Sequence, residues 1–122
     1  MNENSNKPVY DLEERTFQFA KNVRIWVKTL PKSIANIEDT KQLVRASGSV
    51  GANYIETNES LSKKDFSFRI KICLKEAKES VYWLRLILES NDNLPDEKTG
   101  KQLLQEATEL KKIFAAILGK TK

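Results

Sequence analysis

The chain has 122 residues, 39% of them hydrophobic and 31% charged, which suits one helical core and excludes global disorder. Four glycines and three prolines are too few turn residues for a sheet of many short strands. The absence of histidine removes the commonest general base and metal ligand. The net charge is +4: residues 1–60 hold eight basic and eight acidic side chains and residues 61–122 hold thirteen and nine, so the excess falls in the second half.

Residues 1–10 are polar and read as a frayed N-terminus without the basic and apolar regions of a secretory signal. No apolar run approaches the ~20 residues needed to cross a bilayer. The expectation is a cytoplasmic chain without membrane association, with a helical bundle over residues 11–119. Asp11 reads as an N-cap, with Glu14 at the capping-box position. Leu12, Thr16, Phe19, Val23, Trp26 and Leu30 then recur at spacings of four and three, with Ala20 and Val27 widening the stripe, predicting an amphipathic helix that ends before Pro31. Phe17 and Ile25 fall on its far side and modestly support a partner surface.

Residues 31–37 read as a connection, and a second helix is predicted to begin near Ile37 or Asp39. Leu43, Ser47, Val50, Tyr54 and Thr57 form one seam, while Val44, Gly48, Gly51 and Ile55 form a parallel one. Glycine inside a helix costs about 1 kcal/mol relative to alanine, so this pair points to close approach of a neighbouring helix. The stretch SGSVGAN lacks the Gly-Lys-Ser/Thr ending of a phosphate-binding loop, and no apolar strand precedes it.

Ser62 to Ser90 is free of proline and glycine and predicts a third helix of roughly 43 Å, opened by a Ser62–Asp65 capping pattern. Phe66, Ile70, Cys73, Ala77, Val81, Leu84 and Leu88 form its apolar seam. The single cysteine, Cys73, therefore reads as a small buried hydrophobe. Lys64, Lys71, Lys75, Lys78 and Arg85, with Tyr82 among them, occupy roughly 80° of arc. That basic stripe is either a solvated helix face or a phosphate-binding ridge on which Tyr82 stacks against an unpaired base. Phe68, Ile72, Trp83 and Ile87 form a further apolar sector, read as a subunit contact in preference to a broad buried face. Lys75 and Glu79 are spaced for an (i, i+4) ion pair, and Arg45, Ser49 and Glu56 read as a solvated polar face of the second helix. Glu56, Glu76 and Glu79 lack the histidines that usually complete a bundle di-metal site, so no metal and no other cofactor is expected.

Asn91 to Asp96 reads as a turn. A fourth helix is predicted over about residues 96–118, with a seam of Leu103, Ala107, Leu110, Phe114 and Ile117. Gly100 falls in its frayed first turn, and Gly119 stands as its C-terminal stop. Four amphipathic helices with short connections predict an all-α, antiparallel up-down-up-down four-helix bundle.

Three blocks, YDLEERTFQFAKNVRIWVKTLP, QLVRASGSVGANYIE and KKDFSFRIKICLKEAKESVYWLRL, occur in an order that resembles the bacterial four-helix-bundle proteins encoded in intervening sequences of large-subunit ribosomal RNA genes. The resemblance covers roughly residues 10–90; residues 96–118 share only the amphipathic pattern. Ala46 and Thr57 are departures, standing where serine and alanine are more usual. The family is also similar to the accessory variability determinant of diversity-generating retroelements, a basic bundle that works with a reverse transcriptase and nucleic acid. The resemblance implies a ring-like homopentamer and no known catalytic residues. An origin within a ribosomal RNA gene does not make the product a ribosomal component.

The functional expectation is a non-enzymatic homo-oligomeric scaffold whose basic face, Lys64, Lys71, Lys75, Lys78, Tyr82 and Arg85, binds RNA or DNA. The alternative is a protein-interaction adaptor without nucleic-acid affinity.

Overall fold

The computed structural model describes residues 11–121, so the expectation of a frayed segment at residues 1–10 lies outside the described residues. It is all-α, with α1 (Leu12–Val27), α2 (Ile34–Thr57), α3 (Lys63–Ser90) and α4 (Glu97–Lys120). Each helix begins at a side-chain cap. Asp11 accepts from the Glu14 amide at 3.1 Å, Ser33 from Asn36 at 3.1 Å, Ser62 from Asp65 at 3.0 Å and Asp96 from Thr99 at 3.2 Å. Such caps satisfy otherwise orphaned amides and are worth about 1 kcal/mol apiece.

Two boundaries differ from the expectation. Helix α2 starts at Ile34, a turn before Ile37, because Ser33 supplies the cap and Pro31 lies outside it. Helix α4 runs through Gly119 to Lys120, and no glycine among the described residues adopts positive φ. Gly119 therefore does not terminate the helix in the left-handed conformation expected of it.

Each helix packs against its neighbours in sequence, and α1 meets α4. The pairs α1–α3 and α2–α4 make no close backbone approach, so they lie on the two diagonals. The main line of the α1 stripe turns inward: Leu12, Thr16, Phe19, Val23, Trp26 and Leu30 are all buried, while Ala20 and Val27 at its margin are half-buried. They meet Leu43 and Val50 of α2, Ile70, Cys73 and Leu84 of α3, and Leu110 and Phe114 of α4.

Close approach accounts for Gly51. A Cβ there would lie 2.7 Å from Thr16 Oγ1 and 3.1 Å from Thr16 Cβ, so a side chain would push α1 and α2 apart. Gly100 is buried, which corrects its reading as part of a frayed turn. The Trp26 ring lies over its Cα, and Trp26 Nε1 donates to the Asp96 carbonyl at 2.8 Å.

The connections are tied to one another. Asn36 Nδ2 donates to the Pro31 carbonyl at 2.9 Å and to Asn91 Oδ1 at 2.9 Å, while Asn91 Nδ2 returns a bond to Asn36 Oδ1 at 2.8 Å. Asn93 takes a left-handed conformation at φ 57°, which asparagine tolerates. Thr121 Oγ1 donates to Ser67 Oγ at 3.3 Å, joining the end of α4 to the start of α3.

Cys73 is fully buried, and burial pushes its thiol up to about 11. It is expected to react slowly with a thiol reagent in native buffer up to about pH 9 and rapidly in denaturant, because access and thiolate are both lacking. The raised value also gives a direction. The stability owed to the neutral thiol is complete below the reference value of 9.0 and is lost as pH rises toward about 11. Rapid native labelling with the helical signal intact would remove Cys73 from the core.

Candidate nucleic-acid interface

The α3 core line of Ile70, Cys73, Ala77 and Leu84 fixes the helix's rotation, and the basic positions fall opposite it. Lys64, Lys71, Lys75, Lys78 and Arg85 are all exposed. Tyr82 is 57% exposed and sits edge-on to Trp83, with ring centroids 4.9 Å apart at 84°. The structure thus brings the six predicted residues onto one outward face.

Their partners differ from the expectation in one respect. Lys75 makes no ion pair with Glu79. Arg45 of α2 reaches across instead, with Nη2 2.6 Å from Glu79 Oε1 and Nη1 3.3 Å from Glu76 Oε1. The planar guanidinium fork spans two carboxylates a turn apart, which a lysine ammonium cannot do. Glu76 is buried against this contact. Arg45 is therefore not merely a solvated side chain, and Glu56 likewise faces Arg69 at 4.0 Å. The consequence lies on the stripe: Glu79, spaced to pair with Lys75, is turned toward α2 instead. Among the described residues, Lys64, Lys71, Lys75 and Lys78 form no ion pair, whereas Arg85 Nε lies 3.3 Å from Glu89 Oε2.

The apolar sector divides. Phe68 is 58% exposed, and Ile72 and Trp83 are half-buried, with Trp83 packed against the core. Ile87 is fully buried and offers no surface to another subunit, which corrects its assignment. It stands fourteen positions after Cys73, about four helical turns, and so shares the inward side of Cys73. The exposed residue of that turn is Leu86, eighteen positions or about five turns after Phe68, and this spacing was the signal for it.

A groove of about 690 Å³ runs between α1 and α4, with Phe19, Trp26 and Leu103 in its wall. Arg15 braces it. Its Nε lies 2.7 Å from Glu106 Oε2 and its Nη2 2.8 Å from Glu109 Oε1. The Glu106 carboxylate holds the Arg15 guanidinium even more firmly protonated than usual. Hydrogen bonds from Gln105 and Arg15 lower the Glu109 carboxyl below its ordinary range. Among the described residues, no three side chains of metal-ligating type converge. No helix among the described residues is long and apolar enough to cross a membrane.

Comparison with known proteins agrees with this architecture. No curated protein matches the sequence. A crystal structure of a protein of unknown function from the S23 ribosomal protein family, from Bacteroides thetaiotaomicron VPI-5482, superposes with a TM-score of 0.73 at 26% identity. The match covers 87% of this chain and 96% of that one. The family model described as 23S rRNA-intervening sequence protein matches residues 10–116, which takes in most of α4, where the sequence shows only an amphipathic pattern. A match over nearly the whole length of its four helices places this chain in the 23S rRNA-intervening sequence protein family.

Proposed function

We propose that the chain is a non-enzymatic, cytoplasmic homo-oligomeric scaffold whose α3 face binds single-stranded RNA through phosphate contacts. The observation that carries this reading is a set of four lysines, unpaired among the described residues, on one outward face beside an exposed Tyr82, with Glu79 drawn off by Arg45. Unpaired ammonium groups are free to displace counterions from a phosphate backbone, and a tyrosine ring offers a stacking surface to any base. The direct test is titration of a labelled single-stranded RNA by fluorescence anisotropy at low salt. Saturable binding is expected. Absence of binding to RNA and DNA alike would give first place to the adaptor reading, which the exposed Phe68 and Leu86 favour.

Within the subunit, the proposed topology is an antiparallel up-down-up-down bundle. Its support is the pairing of Asn36, near the start of α2, with Asn91, just after α3, and of Trp26, near the end of α1, with Asp96 at the start of α4. Between subunits, the proposed contact is Phe68, Ile72, Trp83 and Leu86, with the ring-like pentamer implied by the family resemblance. Trp83 also supports its own core, so Phe68 is the cleaner probe. The wild type is expected to run as an oligomer in light scattering. Phe68→Glu should give smaller particles of unchanged helicity, because an unpaired charge would be buried in the contact. A wild type that stays monomeric at tens of micromolar would remove the contact.

A further inference from the structure

Helix α1 carries a second basic face. Between Glu14 and Glu38 the chain has no acidic residue, yet Lys21, Arg24, Lys28 and Lys32 all fall in that interval. The even balance of charge in the first half conceals this, because its acids lie to either side. Phe19, Val23 and Trp26 turn inward, while Lys21, Arg24 and Lys28 stand exposed on the opposite side of the helix. None of the three makes an ion pair among the described residues. Glu14 accepts from Gln18 at 2.7 Å, and Glu38 pairs with Lys41 at 3.4 Å.

The face is built as well as charged. Arg24 Nη2 donates to the Val44 carbonyl of α2 at 3.3 Å, and its Nη1 to the Ala20 carbonyl at 3.1 Å. Its guanidinium lies across Gly48, where a Cβ would come within 2.9 Å of Nη2. Gly48 thus seats a cation on the surface, whereas Gly51 seats a helix. Around it is a cleft of about 360 Å³ walled by Phe17, Ala20 and Ile25. Phe17 and Ile25 are more than half exposed. Cations flanking an open aromatic ring repeat, on α1, the combination seen on α3.

Helices α1 and α3 are diagonal, so their outward faces point in opposite directions. Neighbouring axes 8–10 Å apart and a helix radius of about 5–6 Å put the two faces roughly 20–25 Å apart. That exceeds a Debye length of about 10 Å at 0.1 M salt, so each face acts on its own ligand. One flat anionic membrane could meet only one of them.

Resting on the α3 reading above, we infer that α1 binds a second nucleic-acid strand through Lys21, Arg24 and Lys28, so that one subunit bridges two strands. The test is a capture assay. A biotinylated single-stranded RNA is fixed to beads, loaded with the full-length protein and offered a fluorescent, non-complementary RNA. Wild type is expected to capture the second strand. Lys21→Glu/Lys28→Glu leaves Arg24 and its two hydrogen bonds in place. It should retain the first strand within about twofold and lose capture of the second by about tenfold, since two phosphate contacts become repulsions. Capture equal to wild type in this variant would overturn the inference, because the α3 faces of different subunits would then suffice. So would a wild type that binds the first strand but captures no second, or a variant whose particle size changes in light scattering. Failure of the wild type to bind the first strand is a different result: it removes the α3 reading itself.

Discussion

Gly100→Val is expected to destabilise the protein by about 3 kcal/mol, in the upper part of the range for forcing atoms into a packed core. A Cβ at this position would lie 2.8 Å from Leu88 Cδ2 and 2.9 Å from Trp26 Cε2. The tryptophan cannot swing aside cheaply, because it is buried and its indole N–H is held by the Asp96 carbonyl. Gly119 supplies the opposite sign. It is helical, with nothing within 4 Å of an added Cβ, so Gly119→Ala should stabilise by roughly 0.5–1 kcal/mol through helix propensity alone. Urea unfolding at fixed protein concentration reads both effects. A Gly100→Val midpoint equal to that of wild type would mean that Trp26 does not seat against the start of α4.

The second large effect is on binding. Lys71→Glu/Lys75→Glu/Lys78→Glu should weaken single-stranded RNA binding by on the order of 100-fold or more at low salt, because three attractions become three repulsions. All three lysines are exposed and unpaired among the described residues, so the helical signal should persist. Tyr82→Ala acts by another route. It should lose about 1–3 kcal/mol if a base stacks there, with little change in salt dependence. A triple variant that binds as wild type does would place the RNA contact elsewhere on the surface.

The four helices were legible because apolar residues at spacings of three and four leave few alternatives. The α1 stripe is the clearest case, and all six residues of its main line are buried. Errors arose where periodicity is silent or coarse. Ser33 gives a weak cap signal because no acidic residue lies in the first turn after it, so spacing places the start of α2 late. Ile87 falls at the edge of the Phe68, Ile72 and Trp83 sector, and its turn count from Cys73 carries it inward. Gly100 resembles a frayed residue until Trp26, seventy-four positions away, is placed over it. The Arg45 fork illustrates a deeper limit. Helical spacing offers Glu79 a lysine on its own helix, but a neighbouring helix supplied an arginine with better geometry. The exposure of the basic stripe follows from spacing alone, whereas the loss of Glu79 as a partner for Lys75 depends on the tertiary contact with Arg45. The α1 face escaped notice because the first half of the chain is neutral as a whole.

The most direct test of RNA binding through α3 is the slope of log affinity against log salt for a single-stranded RNA. Four free lysines at about −0.7 each predict a slope of about −2.8 per subunit engaged through α3, and about −3.5 if Arg85 leaves Glu89 for a phosphate. Contacts by further subunits or by α1 would steepen it. In Lys71→Glu/Lys75→Glu/Lys78→Glu the slope should become shallower by about 2, as three contacts are withdrawn. A wild-type slope near zero, or one that the triple variant leaves unchanged, would contradict phosphate binding by this face.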